Sequence, residues 1–348
     1  MNPYVLFIIL SSLGLGTTLT FASSHWLMAW MGLEINTLAI LPLMAQKHHP
    51  RAVEATTKYF LTQATAAALI LFATTTNAWV TGQWSIDHLS HPMATTLTTI
   101  ALALKIGLAP LHFWLPEVLQ GLTLTTGLIL STWQKLAPMA LILQMAPVTN
   151  QIILTTLGLL STLIGGWGGL NQTQLRKLLA YSSIAHLGWM VIVLQYAPHL
   201  TLLTLIMYIL MTSTTFMVFN TYSTAKMITL GLKWASNPTL MAMAALSLLS
   251  LGGLPPMTGF MPKWLILQEL TKQGLPLTAT VIAMSALLSL FFYLRLCYAM
   301  VLTVAPNTNN AQTPWRTQSL KLTLPLSTLM VLSVLMLPVT PLMLALMY

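Results

Sequence analysis

The chain has 348 residues, 56% of them hydrophobic and only 5% charged, and its mean hydropathy is +0.78. Soluble globular proteins carry roughly a quarter charged residues, so the composition excludes a soluble enzyme or binding module and leaves a polytopic all-α membrane protein. The net charge of +9 is scattered rather than clustered, which excludes a nucleic-acid face, and the single Cys297 excludes a disulfide framework or a cysteine-based metal centre.

A span needs ~20 mostly apolar residues, and on that rule about eleven follow one another. The first covers about 3–21; MNPYVLFIIL has no basic stretch ahead of its apolar run and reads as a retained span, not a cleaved leader. The second covers about 25–45 and contains Glu34. A polar stretch, 46–58, holds Lys47, Arg51, Glu54 and Lys58 and precedes the third span, about 59–81. After a loop with Asp87, His88 and His91 comes ALALKIGLAPLHFWLPEVLQGLT, residues 101–123. Lys105 lies midway along it, and Gly107, Pro110, His112 and Pro116 follow. Proline removes a backbone donor and clashes with the preceding turn, so this fourth span should be broken.

The fifth span, about 125–145, carries Lys135 close to Pro138. The sixth, about 151–170, ends in Gly165, Gly166, Gly168 and Gly169, a run suited to close helix packing. Arg176 and Lys177 precede the seventh, which holds His186; the eighth covers about 200–222. In the ninth, LSLLSLGGLPPMTGFMPKWL (246–265), glycines and prolines interrupt again and Lys263 follows the break. The tenth runs about 277–303 with Arg295 near its end. A Pro/Asn/Thr-rich linker, 304–318, leads to a last span at about 322–347.

With eleven spans, Lys47, Arg51, Lys58, Arg176, Lys177, Lys226, Lys233, Arg316 and Lys321 fall on the side of the amino terminus, and Lys272 is nearly alone opposite. The positive-inside rule then puts the amino terminus in the matrix or cytoplasm. Two interrupted helices in corresponding places point to internal repeats of a transporter. The expected organisation is one transmembrane domain, 1–348, with five-helix inverted repeats at about 3–146 and 150–303 and a terminal helix at about 320–347.

Glu34, Lys105, Lys135 and Lys263 lie in mid-span, where ionisable groups usually mark an ion path. Burial disfavours an ammonium and a nearby carboxylate favours it, so a glutamate that approaches or leaves a lysine can make it hold or release a proton. Snorkelling explains Arg295, and capping or loop roles explain Glu117 and Glu269. His112 and His186 read equally well as relay members or as hydrogen-bonded structural histidines. There is no dinucleotide fingerprint, phosphate loop or HExxH motif, so no cofactor is expected in this chain.

LALKIGLAPLHFWLPEVLQGL, STWQKLAP, LRKLLAYSSIAHLGWM and LGGLPPMTGFMPKWLILQEL together resemble the antiporter-like membrane subunits of mitochondrial NADH:ubiquinone oxidoreductase, respiratory complex I. The resemblance covers essentially the whole chain. It implies a proton-translocating subunit of the mitochondrial inner membrane, with its amino terminus in the matrix and its carboxyl terminus in the intermembrane space. It implies that Glu34, Lys105, Lys135 and Lys263 match the family's proton-relay positions. The implied partners are other membrane-arm subunits, subunit 4 and subunit 4L among them, and phospholipids, with no nucleic acid; NADH, flavin, iron–sulfur clusters and ubiquinone would sit in other subunits. A stand-alone cation/proton antiporter and a structural membrane spacer whose charges only pair are the alternatives.

Overall fold

The computed structural model describes residues 2–46, 48–231, 238–301 and 324–347, and every regular element among them is a helix. The expected loop charges Lys47, Lys233, Arg316 and Lys321 and the linker at 304–318 lie outside the described residues. Helical geometry closes each backbone hydrogen bond within its own segment, which is what hydrocarbon demands of a spanning chain. The contacts divide the molecule into two compact units, 1–161 and 162–348.

The first unit begins with α1 (Pro3–Ala22) and α2 (Trp26–Met44). They meet at Gly16 and Gly32, where a Cβ on either glycine would come within 2.9 Å of the other's carbonyl oxygen. Small residues let two backbones approach this closely, and such contacts drive helix association where lipid removes the hydrophobic incentive. Helix α3 (Pro50–Thr81) starts well before the expected third span. Pro50 suits a first helical position, the His49 ring accepts from the Arg51 N–H, and Glu54 pairs with Lys58 one turn on, so the polar stretch is itself helical. Helices α4 (Pro92–Ile106) and α5 (Trp114–Gly121) cover the fourth expected span, with the chain broken between them, and α6 (Leu124–Met145) follows. Pro138 lies inside α6 and Pro42 inside α2, and neither helix ends there.

Helix α7 (Gln151–Gly169) runs across the boundary between the units. In the second unit, α8 (Leu175–Val193) packs on α9 (Pro198–Tyr222), and the short α10 (Met227–Gly231) packs on α13 (Pro276–Val301). The ninth expected span is likewise broken, into α11 (Pro238–Gly252) and α12 (Phe260–Lys272). The last apolar stretch is not straight: α14 (Leu324–Leu335) and α15 (Thr340–Met347) are joined by a 3-10 turn, with a 66° bend at Pro338. Proline cannot donate the bond that would carry the helix through.

Both breaks share one chemistry. Gly107 and Gly253 end the first halves with positive φ, 87° and 79°, a left-handed conformation that glycine alone takes without a steric cost. The N–H groups of Gly107 and Leu108 return to the Ala103 carbonyl, and those of Gly253 and Leu254 return to Leu249. A leucine, one further residue and a proline follow each glycine, and Pro116 and Pro262 fall at matching places beyond. The peptides before Pro110 and Pro256 are cis.

Six helices, α1, α2, α3, α7, α9 and α13, are individually long and apolar enough to cross a membrane, and the bent α14–α15 pair would make a seventh. Helices α1 and α13 turn large apolar side chains outward, among them Phe7, Ile8, Met284 and Phe291. The chain is a polytopic helical membrane protein.

Candidate functional site

Each unit holds one buried amine site beside its helix break. In the first, Lys105 occupies the last turn of α4, where carbonyls freed by the break carry partial negative charge. It is 5% exposed, and Lys135 of α6 is 4% exposed. Both lysines line one cavity of about 10 Å³, measured as the room open to the centre of a water, which suits a single molecule. Asn36 and Thr37 of α2, Tyr59 and Gln63 of α3, and Gln134 of α6 complete its polar lining.

The amides of that lining hold the backbone in place. Gln63 donates to the Lys105 carbonyl at 3.4 Å, and Gln134 donates to the Asn36 carbonyl at 3.1 Å. The Trp114 indole donates to the Leu104 carbonyl at 3.0 Å and so satisfies one acceptor that the break exposes. Glu34 is half-buried, and its carboxylate accepts from the Thr37 hydroxyl at 3.0 Å. It does not line the cavity, yet its charge acts on both Lys105 and Tyr59. His112 is buried in the break itself, its ring 4.5 Å from that of Phe113 and bonded to the Pro110 carbonyl; it too lies outside the cavity lining.

In the second unit, Lys263 stands in the first turn of α12, an end whose dipole repels a cation. The side chain reaches back across the break, and Nζ donates to the Gly252 carbonyl at 2.7 Å, at the end of α11. Both helix breaks therefore have a lysine at the end of their first half, Lys105 within its last turn and Lys263 reaching back to it from beyond. Lys263 and His186 line a cavity of about 20 Å³ together with Trp189, Thr204 and Met211. The ammonium is 6.0 Å from the Trp189 ring centroid, at the edge of cation–π range, and the His186 ring lies 5.7 Å from that of Tyr208.

The expected residues thus fall into two groups, Lys105 with Lys135 in one unit and His186 with Lys263 in the other. Glu34 and His112 flank the first group. Sequence reasoning passed over Asn36, Gln63, Gln134 and Trp189. The three amides did carry a signal, since an amide within an apolar span must find partners in the protein interior. Glu117, in the first turn of α5, and Glu54 both bond Lys58 at 2.7 Å on an exposed surface, an ion pair in addition to the capping or loop role read for Glu117.

Residues 23–289 match the family model described as NADH:quinone oxidoreductase/Mrp antiporter, transmembrane region, and residues 290–344 match NADH dehydrogenase subunit 2 C-terminus. NADH-ubiquinone oxidoreductase chain 2 of Formosania lacustris is 72% identical over 348 residues, covering 100% of both chains. The chain 2 of Salmo salar is 71% identical over 341 residues, 98% of each. Among solved structures, a chain of respiratory complex I from Thermus thermophilus superposes with a TM-score of 0.82 at 28% identity, covering 97% of this chain and 80% of that one. A chain of the Mrp complex from Dietzia sp. DQ12-45-1b gives 0.86 at 16% identity over 97% of this chain and 76% of that one, a likeness of fold alone.

Proposed function

This chain belongs to the NADH-ubiquinone oxidoreductase chain 2 family, and from that premise we propose that its buried lysines carry protons for the parent enzyme. The chain is an antiporter-like core subunit of respiratory complex I, an inner-membrane, multi-pass component of an NADH:ubiquinone reductase whose partners are other membrane-arm subunits. On this reading electrons move elsewhere in the assembly, no cofactor sits in this chain, and its own part is protonic.

One observation carries the proposal: Lys105 and Lys135 are almost wholly buried and line the same water-sized cavity. Two amines so placed cannot both be charged cheaply, because each loses its hydration and repels the other. A proton that leaves one can pass to the other across the cavity they share, and the Glu34 charge biases which holds it. His186 and Lys263 would serve the second unit in the same way, with the Gly252 carbonyl as the resting place of the Lys263 ammonium. His112, bonded to the backbone of the break, suits a role in holding α4 and α5 in place.

Eleven crossings in two inverted five-helix repeats belong to the same proposal, supported by the shared chemistry of the two breaks. So do a matrix-facing amino terminus, a carboxyl terminus in the intermembrane space, and contacts with subunit 4, subunit 4L and phospholipids. The deciding experiment replaces Lys135 by methionine in the assembled complex and measures protons moved per electron pair together with ubiquinone reduction. Loss of a positioned proton carrier should slow coupled turnover by about 10²-fold. Normal assembly with undiminished pumping would leave the lysines as structural ions and end the proposal.

A further inference from the structure

The first-unit cavity is ringed by polar side chains, and three of them are committed to partners within the unit: Thr37, Gln63 and Gln134. Gln63 and Gln134 donate to backbone carbonyls, and Thr37 donates to Glu34. Asn36 and Lys105 are not. Asn36 is 2% exposed, and among the described residues neither its amide oxygen nor its amide nitrogen has a hydrogen-bond partner; the same holds for Lys105 Nζ. Three buried, unsatisfied polar atoms each carry a desolvation penalty of about 1–3 kcal/mol or more unless something fills the gap. The space they share holds about one water.

Asn36 is also held firmly in place. Its own carbonyl is bonded by Gln134, and the bare backbone of Gly16 packs against its side-chain oxygen so closely that a Cβ there would collide with it. The amide is therefore a fixed, uncharged group at the cavity wall, its oxygen turned to Gly16 and its N–H donors without a partner among the described residues. A carboxylate there would trap the lysine charge by pairing with it, whereas an amide can orient a water without choosing a protonation state for its neighbours.

We propose that Asn36 is a positioning residue: with Lys105 it holds a resident water in this cavity, and that water links Lys105 to Lys135 for proton exchange. In the transfer, an N–H bond of the Lys105 ammonium breaks as its proton joins the water oxygen. One of the water's own protons passes to the neutral Lys135 amine, and the water is regenerated. No co-reactant is needed, and the reverse transfer uses the same groups. The inference rests on the lysine relay proposed above and adds the group that makes the link continuous.

The test uses the assembled complex with Asn36→Leu, which keeps the volume and removes both polar atoms, and Asn36→Ser, which keeps a donor and an acceptor and leaves room for a second water. In a map fine enough to show waters, the parent should carry density within hydrogen-bond distance of both Lys105 Nζ and Asn36 Nδ2, and Asn36→Leu should lack it. Coupled proton pumping should fall about tenfold in Asn36→Leu, less than the ~10²-fold that a misplaced reacting group can cost, and Asn36→Ser should restore most of it. The solvent deuterium isotope effect on turnover should rise in Asn36→Leu, which a merely structural role would not produce. An empty cavity in the parent, or unchanged pumping and isotope effect in a dry Asn36→Leu variant, overturns the inference. Normal pumping in Lys105→Met instead overturns the relay on which it rests. If Asn36→Leu does not assemble, the parent map and Asn36→Ser decide: no bridging water in either ends it.

Discussion

Lys263 shows how much a single contact decides. Depth and residue type mark it as a candidate in the sequence, but not the direction in which its ammonium points. The structure turns it back to the Gly252 carbonyl, and the residue that permits this is Gly253. Gly253 has a φ of 79°, and a Cβ there would lie 2.8 Å from Lys263 Nζ. Gly253→Ala should therefore cost twice, once in backbone strain of about 1–3 kcal/mol and again by displacing the lysine. Gly274 provides the control, since its φ is 71° and nothing lies within 4 Å of its missing Cβ. Thermal unfolding of the two purified variants should show a loss in both, with the larger loss in Gly253→Ala; pumping should fall only in Gly253→Ala. Equal pumping in the two would mean that the Lys263 position is irrelevant to turnover. Asn36 was half legible for a related reason: an uncharged amide in an apolar helix marks the protein interior, but no sequence mark separates a packed side chain from one at a cavity wall.

At the scale of elements, the two breaks and the runs through Pro42 and Pro138 were readable, while the start of α3 and the bend between α14 and α15 were not. Gly107 with Pro110, and Gly253 with Pro256, combine a residue that accepts positive φ with one that cannot donate, and both spans break there. Pro138 and Pro42 lack such a glycine, and the helices run on through them. The early start of α3 escaped the hydropathy reading because its first turns are charged, while helix formation there depends on a cap and an i,i+4 pair. The far end of α3 depends on tertiary bonding as well. Asn77 is fully buried, donates to the carbonyls of Gln83 and His88, and accepts from the His91 N–H, so one side chain holds the turn from α3 to α4. Asn77→Ala should leave those backbone groups unsatisfied at a cost of about 1–3 kcal/mol. Hydrogen exchange at residues 83–91 should accelerate while that of α9 stays unchanged; uniform protection across both would show that the loop holds itself.

For the molecule as a whole, the proposed topology makes a demand that loop contacts within each unit meet. The segment before α2 bonds the one after α3, with Trp26 N–H to Trp84 O at 3.0 Å and Ile86 N–H to Ser24 O at 3.1 Å. Gly121, at the end of α5, packs on the Arg51 carbonyl near the start of α3. In the second unit, the segment before α8 bonds the one after α9 through Leu175 and Met227, and Arg295 near the end of α13 donates to the Leu170 carbonyl at 2.7 Å. Each contact joins segments separated by an even number of proposed crossings, as it must if both ends share a side of the membrane. A miscounted span between any such pair would require one of these bonds to pass through the bilayer. In the proposed topology Arg51, Arg176, Lys177 and Lys226 lie on the amino-terminal side, the side that the positive-inside rule would turn to the matrix. Cys297 is the only native thiol and is partly buried, so introduced cysteines can be read against a low background. In the assembled complex, Gln172→Cys should react with a membrane-impermeant maleimide from the matrix face alone, and Gln83→Cys from the opposite face alone. Labelling of both from one face would remove a crossing between them, and with it the inverted relation of the two repeats.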